Sequence, residues 1–593
     1  MKRILAALLC MVMLCMCFVS CGKRSEDDLG PIFNAYLGAE PYVLDPQIDH
    51  TDDDAVQLMS LIYEGLTRIN SKGKTEKALL DKYTYTKDAI RGEYILTMTI
   101  KNTKWTDAKD VTADDFVNSW QRLLSPDFSS SAASLLYDIK DAEKAKTGDI
   151  LVDEIGLAAV DTYTIKVTFD HDVDVDQFLR KCASIALVPL RDDVISKSER
   201  SWSKNSTSMV ANGPFAVKGL DYKQGTMRLE RNPYYFLEEE DDLLKYVIPY
   251  RIYITFLKDN DAKPSGSSKA PESLSAQLSA FVENNIKVIT DLPLAERTNY
   301  AKKGTLSDSA STLSLVINTK NPLFSDYRVR QALSAAIDRN EIVKLVTYAK
   351  IADSLINNTC FDGSTKKGFR EVGGAVISTT ADTTKAATLL SQANVISGQF
   401  TLSYRLTEED EAVAKYLKSV WEPLGLTVKL EPLVATSYKE KNSTTENEDT
   451  FYDDDLTVKY NSGNYDIILI DYNMISVDPF AALACFAKNF SGNATSADID
   501  WAVVGNACGF DDAKYNEIID RAFAEKDTNK RAVILHEAEK HLLEQMPIIP
   551  LVYNQNFFMG ADGISGAKFS FSGNVDLRKL KLKNYLDYYT TAE

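Results

Sequence analysis

Strand-forming and helix-forming stretches alternate along this chain, which points to a mixed α/β architecture. Between Glu93 and Ile100, Tyr94, Leu96, Met98 and Ile100 fall on one face of a period-two strand. Tyr163, Ile165, Val167 and Phe169 repeat that pattern over Thr162–Phe169, so both stretches predict strands of a half-exposed sheet. Tyr465–Ile470 is a nearly continuous apolar run, as expected of a strand buried on both faces. Helical stripes lie between the strands. Thr112 can cap a helix carrying Phe116, Val117, Trp120, Leu123 and Leu124. Ser325 can cap a second, with Val329, Ala332, Leu333, Ala336 and Ile337. A third groups Val413, Tyr416, Leu417, Val420 and Trp421, and Pro423 and Gly425 end it. The chain has 593 residues, too many for one ordinary core, so two or three lobes are expected. No repeat of 20–50 residues is present, which argues against a solenoid or propeller. Two polar stretches, Lys258–Ser275 and Thr436–Asn464, read as solvated inserted loops.

The N-terminus carries targeting chemistry. Met1-Lys2-Arg3 is a short positive region, and Ile4–Val19 is a 16-residue apolar run, short for a membrane span and suited to a signal peptide over residues 1–20. It ends in Val19-Ser20-Cys21-Gly22, which resembles a bacterial lipobox, with Phe18 departing from the usual Leu. Cleavage before Cys21 and lipidation of its sulfur are expected, and residues 21–30 serve as anchor and tether. No later stretch reaches 18 apolar residues, so membrane contact is expected through the lipid alone.

Several classes of chemistry are missing. The net charge is −18, and −20 once Lys2 and Arg3 leave with the signal peptide, which disfavours nucleic acid as a partner. No G-x-S-x-G elbow or phosphate-binding loop appears. His536 and His541 imitate a zinc-protease pair but stand five apart. That places them about 140° apart around a helix, so two helix-surface histidines are expected. We therefore expect no catalytic residue, no metal and no cofactor. Beyond Cys21 the cysteines are Cys182, Cys360, Cys485 and Cys508, with no C-x-x-C pair. Cys485 and Cys508 flank one segment, 23 residues apart. A disulfide there could contribute about 3 kcal/mol; two buried thiols are the alternative.

Five segments in order resemble the bacterial solute-binding proteins of family 5, the OppA/DppA-like oligopeptide- and dipeptide-binding lipoproteins of ABC importers. Residues 39–70 contain Leu44-Asp45-Pro46 and Tyr63-Glu64-Gly65-Leu66. Residues 105–124 read WTDAKDVTADDFVNSWQRLL. Asn212-Gly213-Pro214-Phe215 is followed by Leu229-Glu230-Arg231-Asn232-Pro233. Residues 317–343 read INTKNPLFSDYRVRQALSAAIDRNEIV, and residues 544–553 read EQMPIIPLVY. The resemblance extends over most of the chain. It implies a two-lobed periplasmic-binding-protein-like α/β fold (class II, cluster C type) with an extra domain inserted in lobe I. Carried over, lobe I comprises 31–63, 186–312 and 545–593, the extra domain 64–185, and lobe II 313–544. Most matched positions also have a plain structural reading as core or turn residues.

The resemblance further implies an extracytoplasmic binding protein that closes on a peptide or peptide-like ligand and delivers it to permease subunits, with a monomer expected. One cleft wall then falls at Asp49, His50 and Thr51, where backbone groups could add to a peptide as a strand. The other falls at Asp471, Tyr472, Asn473, Met474 and Ile475. Here the chain departs from the family. Aligned without gaps from Tyr465 to Asp478-Pro479, Ile475 stands where peptide binders carry the Asp that pairs with the ligand's α-ammonium. Asp471 and Ile475, four apart on a strand, are separated by about 13 Å, too far for a simple substitution. Two other readings stay open: a non-peptide ligand such as a glycan, modified peptide or signal peptide on the same scaffold, and, in another class, a cell-surface hydrolase, against which the missing catalytic motifs argue.

Overall fold

The computed structural model describes residues 30–235, 247–257, 278–363, 367–441, 448–493 and 508–583. The expected signal peptide, Cys21, all of the tether except Gly30, and the Lys258–Ser275 stretch lie outside the described residues. One eleven-stranded sheet organises two lobes. Its strands run in the order Leu426–Leu433, Gly398–Arg405, Ile467–Asn473, Thr305–Ile317, Ile548–Gly560, Val288–Ile289, Ile32–Ala39, Arg251–Leu257, Thr226–Arg231 and Phe215–Asp221, and Ala349–Ile351 pairs beside Ile548–Gly560. The two thirteen-residue strands at its middle, Thr305–Ile317 and Ile548–Gly560, serve both lobes. Their pairing slips: Thr305–Asp308 face Phe558–Gln555, whereas Thr312 onward faces Tyr553 onward. The register slips again between Leu313 and Ser314, and irregularities of this kind favour a bend in a sheet.

A separate four-stranded antiparallel sheet is built from Leu80–Asp88, Glu93–Ile100, Thr164–Phe169 and Leu157–Asp161. Its period-two faces are as the sequence predicts: Leu96, Met98 and Ile100 are buried, as are Ile165, Val167 and Phe169. The helix Ala113–Leu124 covers this sheet. Its start is a full capping box, in which Thr112 accepts from the Asp115 amide and the Asp115 carboxylate accepts from the Thr112 amide. Arg122 on the same helix pairs with Asp45 at 2.7 Å, tying Leu44-Asp45-Pro46 to the inserted sheet. In the central sheet, Ile467, Ile468, Leu469 and Ile470 are all buried, the two-faced burial expected of that run.

The motif residues hold the fold together. Asn212 is fully buried and exchanges both side-chain hydrogen bonds with the Glu64 backbone. Gly213 lies where a Cβ would come within 2.5 Å of the Ile62 backbone, so only glycine fits. Arg339, fully buried, donates to the carbonyls of Pro550 and Ser378 and to Ser334. The helix after Pro322 is capped by Asp326, which accepts from the Arg328 amide, rather than by Ser325, because Ser325 closes the short 3-10 turn Pro322–Phe324 as its C-cap. The helix Glu408–Trp421 does end at Pro423 and at Gly425, whose φ is +90°.

The polar stretch after Thr436 is not a loop throughout. Thr436–Lys441 and Glu448–Asp453 form an antiparallel hairpin, followed by the helix Asp455–Asn461. Tertiary contact overrides the polar composition: Tyr452 packs on Tyr42 and Tyr222, and Asp453 pairs with Lys204 at 2.6 Å and with Arg200. Cys485 and Cys508 are unbridged, buried thiols, the alternative to a disulfide that the sequence left open. The Cys485 sulfur instead meets the Tyr472 hydroxyl at 3.0 Å, and burial pushes the Cys485 thiol up to about 12. Nor are His536 and His541 surface groups. His536 stacks on Phe369 and bonds Asp362 at 2.7 Å, while His541 is buried and bonds Asp512 at 2.9 Å. Their divergent partners reflect the five-residue spacing. Among the described residues no helix is long and apolar enough to cross a membrane.

Candidate ligand-binding cleft

The two walls expected from the sequence meet each other directly. The Asp471 amide donates to the Thr51 carbonyl at 3.0 Å, and the Asn473 side-chain amide donates to the carbonyls of His50 and Asp52 at 3.1 and 3.2 Å. Asn461 donates to the Asp49 carbonyl, and the Thr51 and Thr457 hydroxyls bond at 2.7 Å. Side chains on this seam are also engaged. Asp49 accepts from the Ser131 amide and hydroxyl, and His50 Nε2 lies 2.8 Å from the Asp45 carbonyl. Burial raises the Asp49 carboxyl, partly countered by Ser131. Asp471 accepts from Asn554 at 2.5 Å. Burial, then the neighbouring Asp53 and Asp410 carboxylates, push its carboxyl well above the ordinary range. Tyr472 is a core residue whose hydroxyl donates to the Ala482 carbonyl.

The space for a ligand lies beside this seam. A cavity of about 540 Å³ opens between the lobes, within the range of small-molecule sites. One wall is the turn Asn473–Val477, which presents Asn473, Met474 and Ile475. Opposite stand Asp53 and Val56 of the helix Asp53–Ile62 and the segment Tyr63–Ile69. Arg180 and Ser184 close one side, and residues 568–579 of the C-terminal segment another. Of the eight expected ligand-contact residues, Asn473, Met474 and Ile475 line this cavity. Asp49, His50 and Tyr472 line a separate crevice of about 50 Å³ on the far side of the seam, which Asn473 and Ile475 also reach. Thr51 and Asp471 line neither.

Charge in the cavity wall is mostly self-compensated. Glu64 takes Arg68 at 3.2 Å and the Tyr235 hydroxyl at 2.5 Å. Asp576 and Arg578 form a two-bond pair at 2.8 and 2.6 Å. Burial raises the Asp576 carboxyl, but Arg578 overrides it and holds the group below its usual range. Two half-buried groups differ. Asp53 accepts from two hydroxyls, Ser309 at 2.9 Å and Ser311 at 3.1 Å, and burial raises its carboxyl despite those bonds. Arg180 has no ion pair among the described residues; its guanidinium lies over Phe361, 5.2 Å from the ring centre, and its Nε is buried without an acceptor. Sequence reading missed both. Asp53 reads as an ordinary acid in a first helical turn, and Arg180 as an ordinary base in the last turn of Val175–Lys181. Among the described residues no cluster of His, Cys, Asp and Glu could hold a metal ion.

Comparison with known proteins gives a consistent result. The family model described as bacterial extracellular solute-binding proteins, family 5 Middle, matches residues 91–494. The dipeptide-binding protein DppE of Bacillus subtilis is 26% identical over 552 residues, covering 91% of this chain and 90% of that protein. The periplasmic murein peptide-binding protein MppA of Escherichia coli is 26% identical over 536 residues, covering 88% and 87%. Among solved structures, Listeria monocytogenes OppA bound to peptide superposes with a TM-score of 0.74 at 18% identity, covering 93% of this chain and 99% of that one.

Proposed function

Because this chain belongs to the family 5 bacterial extracellular solute-binding proteins, we propose that it captures peptides between its lobes and hands them to the permease of an ABC importer. The observation that carries this reading is the 540 Å³ cavity at the junction of the lobes, walled by the same turn, Asn473–Val477, that the family alignment places at the ligand. The two strands that pass between lobes, with their slipped pairing at residues 309–311, supply the hinge. Residues 31–63, 186–312 and 545–593 form one lobe and 313–544 the other, with 64–185 inserted in the first. Ligand that touches both sides stabilises the joined state, and a membrane partner can then read that state. The relatives DppE and MppA carry dipeptide and murein peptide in their names, and short peptides suit this cavity too. We place the protein outside the cytoplasm, held by lipid on Cys21, as a monomer.

Mass spectrometry of protein extracted from its own membranes tests both parts. Under native conditions a co-purified species with the mass of a short peptide is expected, and the denatured chain should carry diacylglycerol at Cys21. A co-purified glycan, or no peptide binding from a defined library, would remove the peptide reading. An unmodified Cys21 would remove the anchor.

A further inference from the structure

Among the half-buried charged groups on the main cavity wall, Asp53 and Arg180 alone lack an oppositely charged partner within the described residues. The other candidates are answered: Glu64 by Arg68, and Asp576 by Arg578. Lys568, Lys579 and Glu76 are exposed to solvent. In the adjoining crevice that Arg180 also lines, the Asp478 carboxylate is held by Arg531 at 2.8 Å. An ion withdrawn from water without a counter-charge is costly. Two such ions of opposite sign in one cavity are what a ligand bearing both charges would satisfy.

Their placement gives the polarity. The Asn473 side chain reaches the Asp52 carbonyl at 3.2 Å, next to Asp53, and the Val477 carbonyl accepts from the Phe361 amide at 2.9 Å, beside Arg180. The turn Asn473–Val477 therefore runs along the cavity from the acidic pole to the basic one. Four residues span at most about 13 to 14 Å, the reach of an extended peptide of about three or four residues. Ile475 sits midway, so an apolar wall faces the ligand's interior.

Building on the peptide-binding reading, we propose that the cavity fixes a short zwitterionic peptide in one polarity, with its α-ammonium at Asp53 and its terminal carboxylate on Arg180. The guanidinium is suited to the second role. Its carbon lies 5.2 Å from the centre of the Phe361 ring, and its buried Nε is a donor awaiting an oxygen. The first role moves the ammonium anchor from the strand turn, where Ile475 now stands, to the opposite wall. Neither role involves covalent chemistry.

Calorimetry on the full chain with an equimolar tripeptide library tests this, using free acid, C-terminal amide and N-acetyl forms. The wild-type protein should bind the free acid at least tenfold tighter than either blocked form. Arg180→Gln should abolish the acid-over-amide preference and leave the preference for a free amine. Asp53→Asn should do the converse, and Arg180→Lys should keep part of the acid preference. Melting curves of each variant show that it is folded. If all three forms bind the wild type equally, the polarity is wrong and the peptide reading stands. If Arg180→Gln retains the acid preference, the carboxylate lies elsewhere. If no form binds, both the polarity and the peptide reading fall.

Discussion

At the scale of single residues, the seam between the lobes concentrates acid. Asp410 is half-buried in the first turn of Glu408–Trp421, near Glu409, Asp52 and Asp471, with Arg405 the nearby cation. Burial, then Glu409, raise its carboxyl to about 7, and burial also raises Asp291, beside Arg297 and Glu409, to about 6. A raised carboxyl binds its proton more tightly folded than unfolded. Its contribution is therefore fully present below about pH 4 and is lost as pH rises through about 7. The wild-type melting temperature should fall between pH 5 and pH 8. Asp410→Asn should flatten that fall and raise stability at pH 8 by on the order of 1 kcal/mol, or about 1 °C. Scanning calorimetry at stepped pH checks this, and an unchanged slope would show that Asp410 is not a source of it. Much at this scale was hidden in the sequence. The alignment pointed to Asn473, Met474 and Ile475, which line the cavity. Asp53 and Arg180 came from two helix ends whose charges have an ordinary dipole explanation, and only their shared cavity sets them apart.

At the scale of elements, periodicity carried most of the information. The alternation over Glu93–Ile100 and the stripe from Phe116 to Leu124 map directly onto buried faces, because one face of each must leave water. The hairpin Thr436–Asp453 was illegible for the opposite reason. Its strands are polar, and contacts with Tyr42, Tyr222, Arg200 and Lys204 hold them in place. Lys204 is buried, and Asp453 is its carboxylate. Burial lowers the Lys204 ammonium even so, so losing the partner should be costly. Asp453→Asn should destabilise the protein by roughly 2 kcal/mol, discounted for the partial exposure of Asp453, and, on the proposed lobe boundaries, should weaken ligand binding as well. Arg200→Gln, at an exposed position, should cost less than about 1 kcal/mol. Equal effects of the two substitutions, read by chemical denaturation and calorimetry, would show that Lys204 does not depend on Asp453.

At the scale of the whole molecule, motif order was enough to place the chain in its fold, because the matched segments are the joints of the architecture. Asn212 clasps Glu64, Arg122 clasps Asp45 and Arg339 clasps Pro550. What motifs could not convey is how the lobes meet. The carbonyls of Asp49, His50, Thr51 and Asp52 are already accepting hydrogen bonds from Asn461, Asn473 and Asp471. The cavity lies beside this seam, so a peptide that enters it as the lobes separate must first wait for those bonds to part, and its arrival is gated by a unimolecular step. Stopped-flow fluorescence should then show an observed association rate that climbs with peptide concentration and levels off at the rate of that parting. Asn473→Ala, which removes two of the bonds, should raise the plateau; a rate that stays linear in concentration would mean that the seam imposes no wait.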